Sequence, residues 1–294
     1  MKFGAIFPTC EIGNDPVVIR DWAQAAEELG YSHIIAYDHV LGGVREDRDP
    51  PMMSAYDNHN PFHEPFTLFA YLAGLTSTID FVTGVLVVPQ RQTVLVAKQA
   101  AELSVLSNGR LRLGLGTGNN YVEYDGLSAS FKDRGRVLDE QVEVLRKLWT
   151  ESVVDFSGDF HRIDRAGISP QPVSSIPIWF GGRSRPAIRR AAACGDGFLF
   201  SPASDPIKDL CQQLIADLEA NGKREGFGID VFTGFGDGPK HWQREIKAWE
   251  GLGADSISMR TMSTSSMMFG EKDPGFTTPQ QHIDALATFM REVR

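Results

Sequence analysis

The stretch that decides the fold runs Ile176-Pro177-Ile178-Trp179-Phe180-Gly181-Gly182-Arg183-Ser184 and continues through Ala187-Ile188 and Ala191-Ala192-Ala193 to Asp196-Gly197-Phe198-Leu199-Phe200. A short apolar run over 176–180, bounded by proline and glycine, reads as a buried strand. Ser184 has the chemistry of an N-cap, which predicts a helix over 184–193. The apolar run 196–200 is the next strand. Strand, glycine turn, helix and strand in this order form the repeating unit of a parallel sheet covered by helices.

The same alternation extends outward in both directions. Toward the N-terminus it reads as strand Lys2–Phe7, then a helix opened by Asn14-Asp15-Pro16, carrying Trp22, Ala26 and Leu29 on one face and closed by Gly30. Strand His33–Tyr37, a polar loop, helix Glu64–Leu75, the Val-rich strand Ile79–Val88 and helix Leu95–Leu106 follow, the last stopped by Asn108-Gly109. Strand Arg110–Leu115 leads into the longest irregular stretch, Gly116 to about Lys132, before a helix with Leu138, Val142, Leu145 and Trp149 on one face. A small hairpin is predicted over Val153–Ile163 around Ser157-Gly158-Asp159, and a link with Pro170, Pro172 and Pro177 returns the chain to the opening unit. Beyond it come helix Asp205–Ala220, strand Ile229–Phe232, helix Pro239–Gly251, strand Asp255–Met259 and helix Pro279–Val293, whose Thr278 and Gln281 have capping-box spacing. Eight strands alternate with helices and no break in composition marks a linker. The prediction is an α/β fold, a (β/α)8 TIM barrel forming one domain over 1–294, with insertions at about 40–63, 116–133, 151–175 and 260–278.

Composition narrows the partners. The 294 residues carry 29 Lys and Arg against 38 Asp and Glu, a net charge of -9 with no basic run, which argues against nucleic acid. The longest apolar runs, Phe81–Pro89 and Leu68–Leu75, fall far short of the roughly 20 residues that span a bilayer. The apolar N-terminus is too short for a signal peptide and meets Glu11 early, and Cys10, Cys194 and Cys211 are odd in number without metal spacing. The expectation is a cytoplasmic protein with free thiols, no membrane partner and no metal.

A barrel gathers its chemistry at the C-terminal ends of its strands. His39 is the candidate for proton transfer there, with Asp38 beside it to orient it, although neighbours on a strand face opposite ways. The plain alternative is a histidine satisfied at a strand end. Gly181, Gly182, Arg183 and Ser184 open a helix after a strand, where free N–H groups and the helix dipole favour an anion; a simple turn capped by Ser184 is the alternative. Gly114-Leu115-Gly116-Thr117-Gly118 lacks the dinucleotide spacing, and its alternate glycines suggest something flat or bulky against the backbone. Gly84 inside the third strand points to a bulge or a ligand. His59 and His63 have i, i+4 spacing, but Pro61 between them argues against a helical metal pair.

In order and spacing, these segments resemble the bacterial luciferase-like flavin and deazaflavin oxidoreductases over nearly the whole chain. The matching stretches include Tyr37-Asp38-His39, Glu64-Pro65-Phe66, Thr83-Gly84-Val85, Ser107-Asn108-Gly109-Arg110-Leu111, Gly114-Leu115-Gly116-Thr117-Gly118, Arg134-Gly135-Arg136-Val137-Leu138-Asp139-Glu140 and Trp179-Phe180-Gly181-Gly182. The resemblance implies a luciferase-like TIM barrel, usually a homodimer, that binds coenzyme F420 or reduced FMN in its mouth. By position, the phosphate falls at Gly181, Gly182, Arg183 and Ser184, the ring against Gly84, Val85, Gly116, Thr117, Gly118 and Asn119, and a non-prolyl cis peptide at Gly84–Val85. His39 matches the histidine near the redox centre.

The F420-dependent branch is the nearest in flavour, with hydride passing between the deazaflavin and a small or medium organic substrate. One departure is Asn119, where sugar-phosphate dehydrogenases of that branch carry Glu; an amide cannot supply that proton, so oxidation of glucose 6-phosphate is not expected. The alternatives are a reduced-FMN monooxygenase using O2 and a separate flavin reductase, and a flavin- or F420-binding protein without turnover. An anionic coenzyme on a chain of net charge -9 requires local cations, expected at Arg183 and Arg185.

Overall fold

The structure, a computed structural model, describes residues 1–294 except 203, 265, 267 and 268. Four strands come first, β1 (Lys2–Ile6), β2 (His33–Ala36), β3 (Asp80–Thr83) and β4 (Leu111–Leu115), then a hairpin of β5 (Val154–Ser157) and β6 (Arg162–Ala166). Four more follow: β7 (Ile178–Gly181), β8 (Gly197–Phe200), β9 (Gly228–Gly234) and β10 (Ser256–Arg260). All except the hairpin pair in parallel in a closed barrel, which is sealed where β1 lies between β10 and β2 with Lys2 opposite Ser256 and Gly4 opposite His33. The (β/α)8 barrel expected from the alternation is therefore the observed fold.

The helices are α1 (Pro16–Glu28), α2 (Pro65–Ala73), α3 (Thr93–Leu106), α4 (Tyr121–Gly126), α5 (Arg134–Thr150), α6 (Arg185–Cys194), α7 (Asp205–Ala220), α8 (Pro239–Gly251) and α9 (Pro279–Val293). Their limits follow local chemistry. Asp15 caps α1 by accepting from the Val17 N–H at 2.9 Å, and Thr278 and Gln281 complete the capping box of α9.

Two elements differ from the sequence reading. Helix α4 lies inside the stretch read as irregular, because its six residues are too few to display a helical period; Asn120 starts it by accepting from Val122 N–H at 3.2 Å. Strand β3 stops at Thr83 rather than Val88: the Gly84–Val85 peptide is cis, as the resemblance implies, and Leu86 rejoins the sheet through one bridge to Leu115.

The barrel interior has two halves. Near the N-terminal ends, His33 Nε2 lies 2.7 Å from Asp230 Oδ2 and 2.9 Å from Ser258 Oγ, and the Ser258 hydroxyl also reaches the Asp230 carboxylate. Gly4 makes room for this cluster, since a Cβ there would stand 2.1 Å from Ser258 Oγ and 2.3 Å from His33 Nε2. Toward the C-terminal ends the interior is apolar, with Ile6, Ile35, Val82, Leu199, Phe232 and Met262 in one cluster that forms the floor of the mouth. Among the described residues no helix is long and apolar enough to cross a membrane.

Candidate active site

A cavity of about 220 Å³ opens at the C-terminal mouth, lined by Tyr37, Asp38 and His39 after β2, Gly84, Val85 and Val87 after β3, and Gly118 and Asn119 after β4. Gly181, Gly182 and Arg183 after β7, Leu199 and Ser201 at β8, and Phe232 of β9 complete the ring, with Tyr56 and Phe269 from loops. A second cavity of about 290 Å³ lies beside it, lined by Gly116, Thr117, Arg134, Gly181, Ser184 and Arg190 among others. Gly181 belongs to both cavities. Every candidate residue from the sequence except Arg185 lines one or the other. A wider surface depression, about 970 Å³ between α3, α5 and the hairpin, holds none of them.

The inserted segments contribute to the first cavity unevenly. Tyr56 comes from 40–63 and Phe269 from 260–278, of which residues 265, 267 and 268 lie outside the described residues; Tyr121–Lys132 sends no side chain into the first cavity.

The glycines explain their own spacing. A Cβ on Gly116 would lie 2.3 Å from Val85 Cγ2, one on Gly181 2.7 Å from Val85 Cγ1, and one on Gly118 2.8 Å from Val87 Cγ1. The bulky group that the glycines admit is thus the chain's own valine pair, which builds the back wall of the mouth. Gly116→Ala is expected to destabilise the fold by about 1–3 kcal/mol through overpacking against Val85, measured by thermal melts. An unchanged melting temperature would show that Gly116 is not packed tightly against Val85.

His39 is oriented by Glu123, not by Asp38. Its Nδ1 lies 3.0 Å from Glu123 Oε2, while Glu123 Oε1 accepts from the Val40 and Leu41 amides at 2.7 and 3.2 Å. The Glu123 side chain is 2% exposed and that of His39 20%. Burial alone would raise the Glu123 carboxyl, but the hydrogen bond and charge of His39 and the two amides outweigh it and hold the group below its ordinary value. With Nδ1–H donated to Glu123, Nε2 is the nitrogen left to exchange a proton. Stability from Glu123 is complete above the unfolded carboxyl value of about 4.3 and is lost as pH falls through the lower folded value. Glu123→Gln should therefore flatten the acid limb of the stability curve, followed by urea unfolding between pH 3 and 6; an unaltered limb would show that Glu123 does not contribute.

Asp38 is occupied elsewhere. One oxygen accepts from Val87 N–H at 2.9 Å and the other from Arg91 Nη2 at 2.7 Å, and Arg91 reaches Glu64 at 3.1 Å. The opposite charges and hydrogen bonds of Asp38 and Glu64 hold the guanidinium above its ordinary value against the opposing effect of burial. Asp38 thereby ties the exit of β2 to the valine wall.

The second cavity has the chemistry of an anion site. Ser184 stands at the N-cap of α6 with no capping bond from its side chain, and Gly182 has φ +142°, a conformation that favours glycine. Arg134 donates to the Phe131 carbonyl at 2.6 Å and lies 3.9 Å over the Phe131 ring. Its buried Nε has no hydrogen-bond partner among the described residues. A free helix N-terminus, an uncommitted hydroxyl and a guanidinium with an unused donor fit a phosphate. Arg185, expected to share this role, lines neither cavity; Arg134 stands there instead.

A closed parallel barrel with a cavity at its mouth, lined by residues from the strand exits, is the architecture in which barrel enzymes place their chemistry. The sequence profile of the Luciferase-like monooxygenase family matches residues 1–263, and the chain belongs to that family. An uncharacterized protein of Mycobacterium tuberculosis is 35% identical over 219 residues, 72% of this chain and 75% of that protein. The F420-dependent glucose-6-phosphate dehydrogenase of Nocardia farcinica is 36% identical over 224 residues, 73% of this chain and 62% of that protein. In fold, the chain matches the crystal structure of monooxygenase RslO1 from Streptomyces bottropensis with a TM-score of 0.79 at 20% identity, over 100% of this chain and 98% of that one. A pyrimidine monooxygenase of Allorhizobium ampelinum is 33% identical over 185 residues, 61% of this chain and 50% of that protein, so the relatives include both F420-dependent dehydrogenases and a monooxygenase.

Proposed function

We propose that the chain is an F420-dependent oxidoreductase that moves a hydride between the deazaflavin and a small organic substrate. The observation that carries this reading is the pair of cavities joined at Gly181, one walled by Val85 and faced by His39, the other furnished with Ser184, Arg134 and the α6 N-terminus. When bound, the coenzyme supplies hydride chemistry at its C5 carbon. Ser184, Arg134 and the α6 amides hold its phosphate, and Gly84, Val85 and Gly118 back its ring. His39, oriented by Glu123, takes or gives at Nε2 the proton that accompanies hydride transfer at a substrate oxygen. Asp38 positions the wall through Val87 and Arg91. Asn119, whose amide donates to the Met53 carbonyl at 3.3 Å, is a polar wall and not an acid.

Titration of the purified chain with F420 and with reduced FMN, followed by absorbance, tests the reading. Tight F420 binding with substrate-dependent bleaching is expected; binding of neither coenzyme removes it. Oxygen consumption with FMN alone would establish the second reading, a reduced-FMN monooxygenase fed by a separate reductase, which the 33% identity to a pyrimidine monooxygenase over 185 residues favours. Coenzyme binding without turnover of any substrate would leave a binding protein. Ser184→Ala with Arg134→Met should weaken F420 at least about tenfold and leave a dephosphorylated deazaflavin unaffected. Equal losses for both ligands would place the phosphate elsewhere.

The reading includes a homodimer. Val94, Leu95, Val105 and Leu106 stand exposed in two apolar pairs on one face of α3, with the Lys98–Glu102 ion pair between them, a mixed face suited to a second copy. Sedimentation of the wild type against Leu95→Glu with Leu106→Glu checks it; a monomeric wild type removes this part.

A further inference from the structure

Arg260 ends β10 just behind the mouth. Its side chain is 1% exposed and that of Glu271 4%, and the two form an ion pair. Arg260 also donates to the Thr264 carbonyl at 2.9 Å, and its guanidinium faces the Phe269 ring 5.1 Å from the centroid. Phe269 lines the cavity. The charge of Arg260 also acts on Tyr37, a second wall residue. Room for Glu271 is built into the barrel rim: a Cβ on Gly234 would stand 2.8 Å from the Glu271 carboxyl carbon. The strap is pinned from the other side as well, since Glu11 accepts from the Ser263 and Thr264 amides at 3.0 and 2.6 Å.

A buried guanidinium behind the Phe269 wall of a small cavity would draw anions strongly, because little solvent screens it. Paired with Glu271 it is neutral in sum. We propose that the Arg260–Glu271 pair sets the substrate class: it silences the cation, fixes Phe269 as an apolar roof and confines the substrate half of the mouth to uncharged, apolar organic molecules. Tyr56, Val87, Leu199 and Phe232 supply the other walls. Arg183 stands on the β7 side, at the coenzyme end. Both residues of the pair are positioning residues, and the inference rests on the mouth being the substrate site.

Acetophenone and 4-acetylbenzoate share a ring and a ketone and differ by one carboxylate. Calorimetric titration of the full chain, without coenzyme, should show the ketone binding at least about tenfold tighter than the carboxylate. Glu271→Gln, checked for folding by circular dichroism, should shift that ratio at least about tenfold toward the carboxylate. The double variant Arg260→Met with Glu271→Met should restore the preference for the neutral probe. The inference is overturned if the wild type binds neither probe, if it binds both equally, or if Glu271→Gln folds and leaves the ratio unchanged. Should Glu271→Gln fail to fold, Phe269→Ala decides: acetophenone affinity must fall about fivefold or more, and an unchanged affinity overturns the roof. Coenzyme titration is read separately. A chain that sorts the two probes but binds neither coenzyme refutes the proposed function alone.

Discussion

His39→Ala is expected to lower kcat by roughly 10²–10⁴-fold while the dissociation constant for F420 stays within about threefold. The imidazole faces the cavity from the β2 exit, and in the proposed function the coenzyme rests on other elements, the α6 N-terminus and the valine wall. Proton movement and coenzyme affinity should therefore separate cleanly. Glu123→Gln should give an intermediate loss, because the amide can still meet Nδ1 but no longer supplies two acceptor oxygens to His39, Val40 and Leu41. Steady-state kinetics with coenzyme titration in parallel checks both variants. A His39→Ala enzyme of undiminished kcat would take His39 out of the proton path and leave the proton to solvent.

Asp230→Ala is expected to cost about 3–5 kcal/mol of stability, because it strands His33 and Ser258 in the barrel interior. All three side chains are essentially inaccessible, and His33 is also held at Nδ1, 2.8 Å from Ser32 Oγ. The arrangement has the composition of a nucleophilic triad but sits at the closed end of the barrel, away from the mouth, so it acts as structure. The triple variant His33→Leu, Asp230→Leu and Ser258→Ala should recover much of the loss, since replacing a whole buried polar cluster by apolar groups is often neutral. Calorimetric melts would read the single substitution as a fall of about 10 °C. A shift of only a degree or two would mean that the cluster is already hydrated and contributes little.

The barrel was legible because its signal is collective: apolar runs and amphipathic runs alternate from Lys2 to Val293, and an error of a few residues at any boundary leaves the alternation intact. The glycines at 84, 114, 116 and 118 were legible as places where something approaches the backbone. What approaches was not: Val85 and Val87, which follow β3, reach Gly116 and Gly118, and Ile35 and Leu199 reach Gly84 and Gly114, only once the sheet has closed. Glu123 lies 84 residues from His39 in a stretch with no period, so no local pattern ties the two. Asp38, the neighbour in sequence, drew attention instead. Arg134 stands in a motif that was read, Arg134–Glu140, but a basic residue at the start of a helix carries no sign of the cavity it lines. Proximity in the chain predicted the strand exits well and the partners of individual side chains poorly.

Val85 held between Gly116 and Gly181 bears on how a ligand can bind. The back of the mouth is finished before anything arrives, since the groups that would otherwise have to find their places are already packed against one another. Association at that wall consequently gives up little chain entropy, and a larger share of each contact made there appears as affinity.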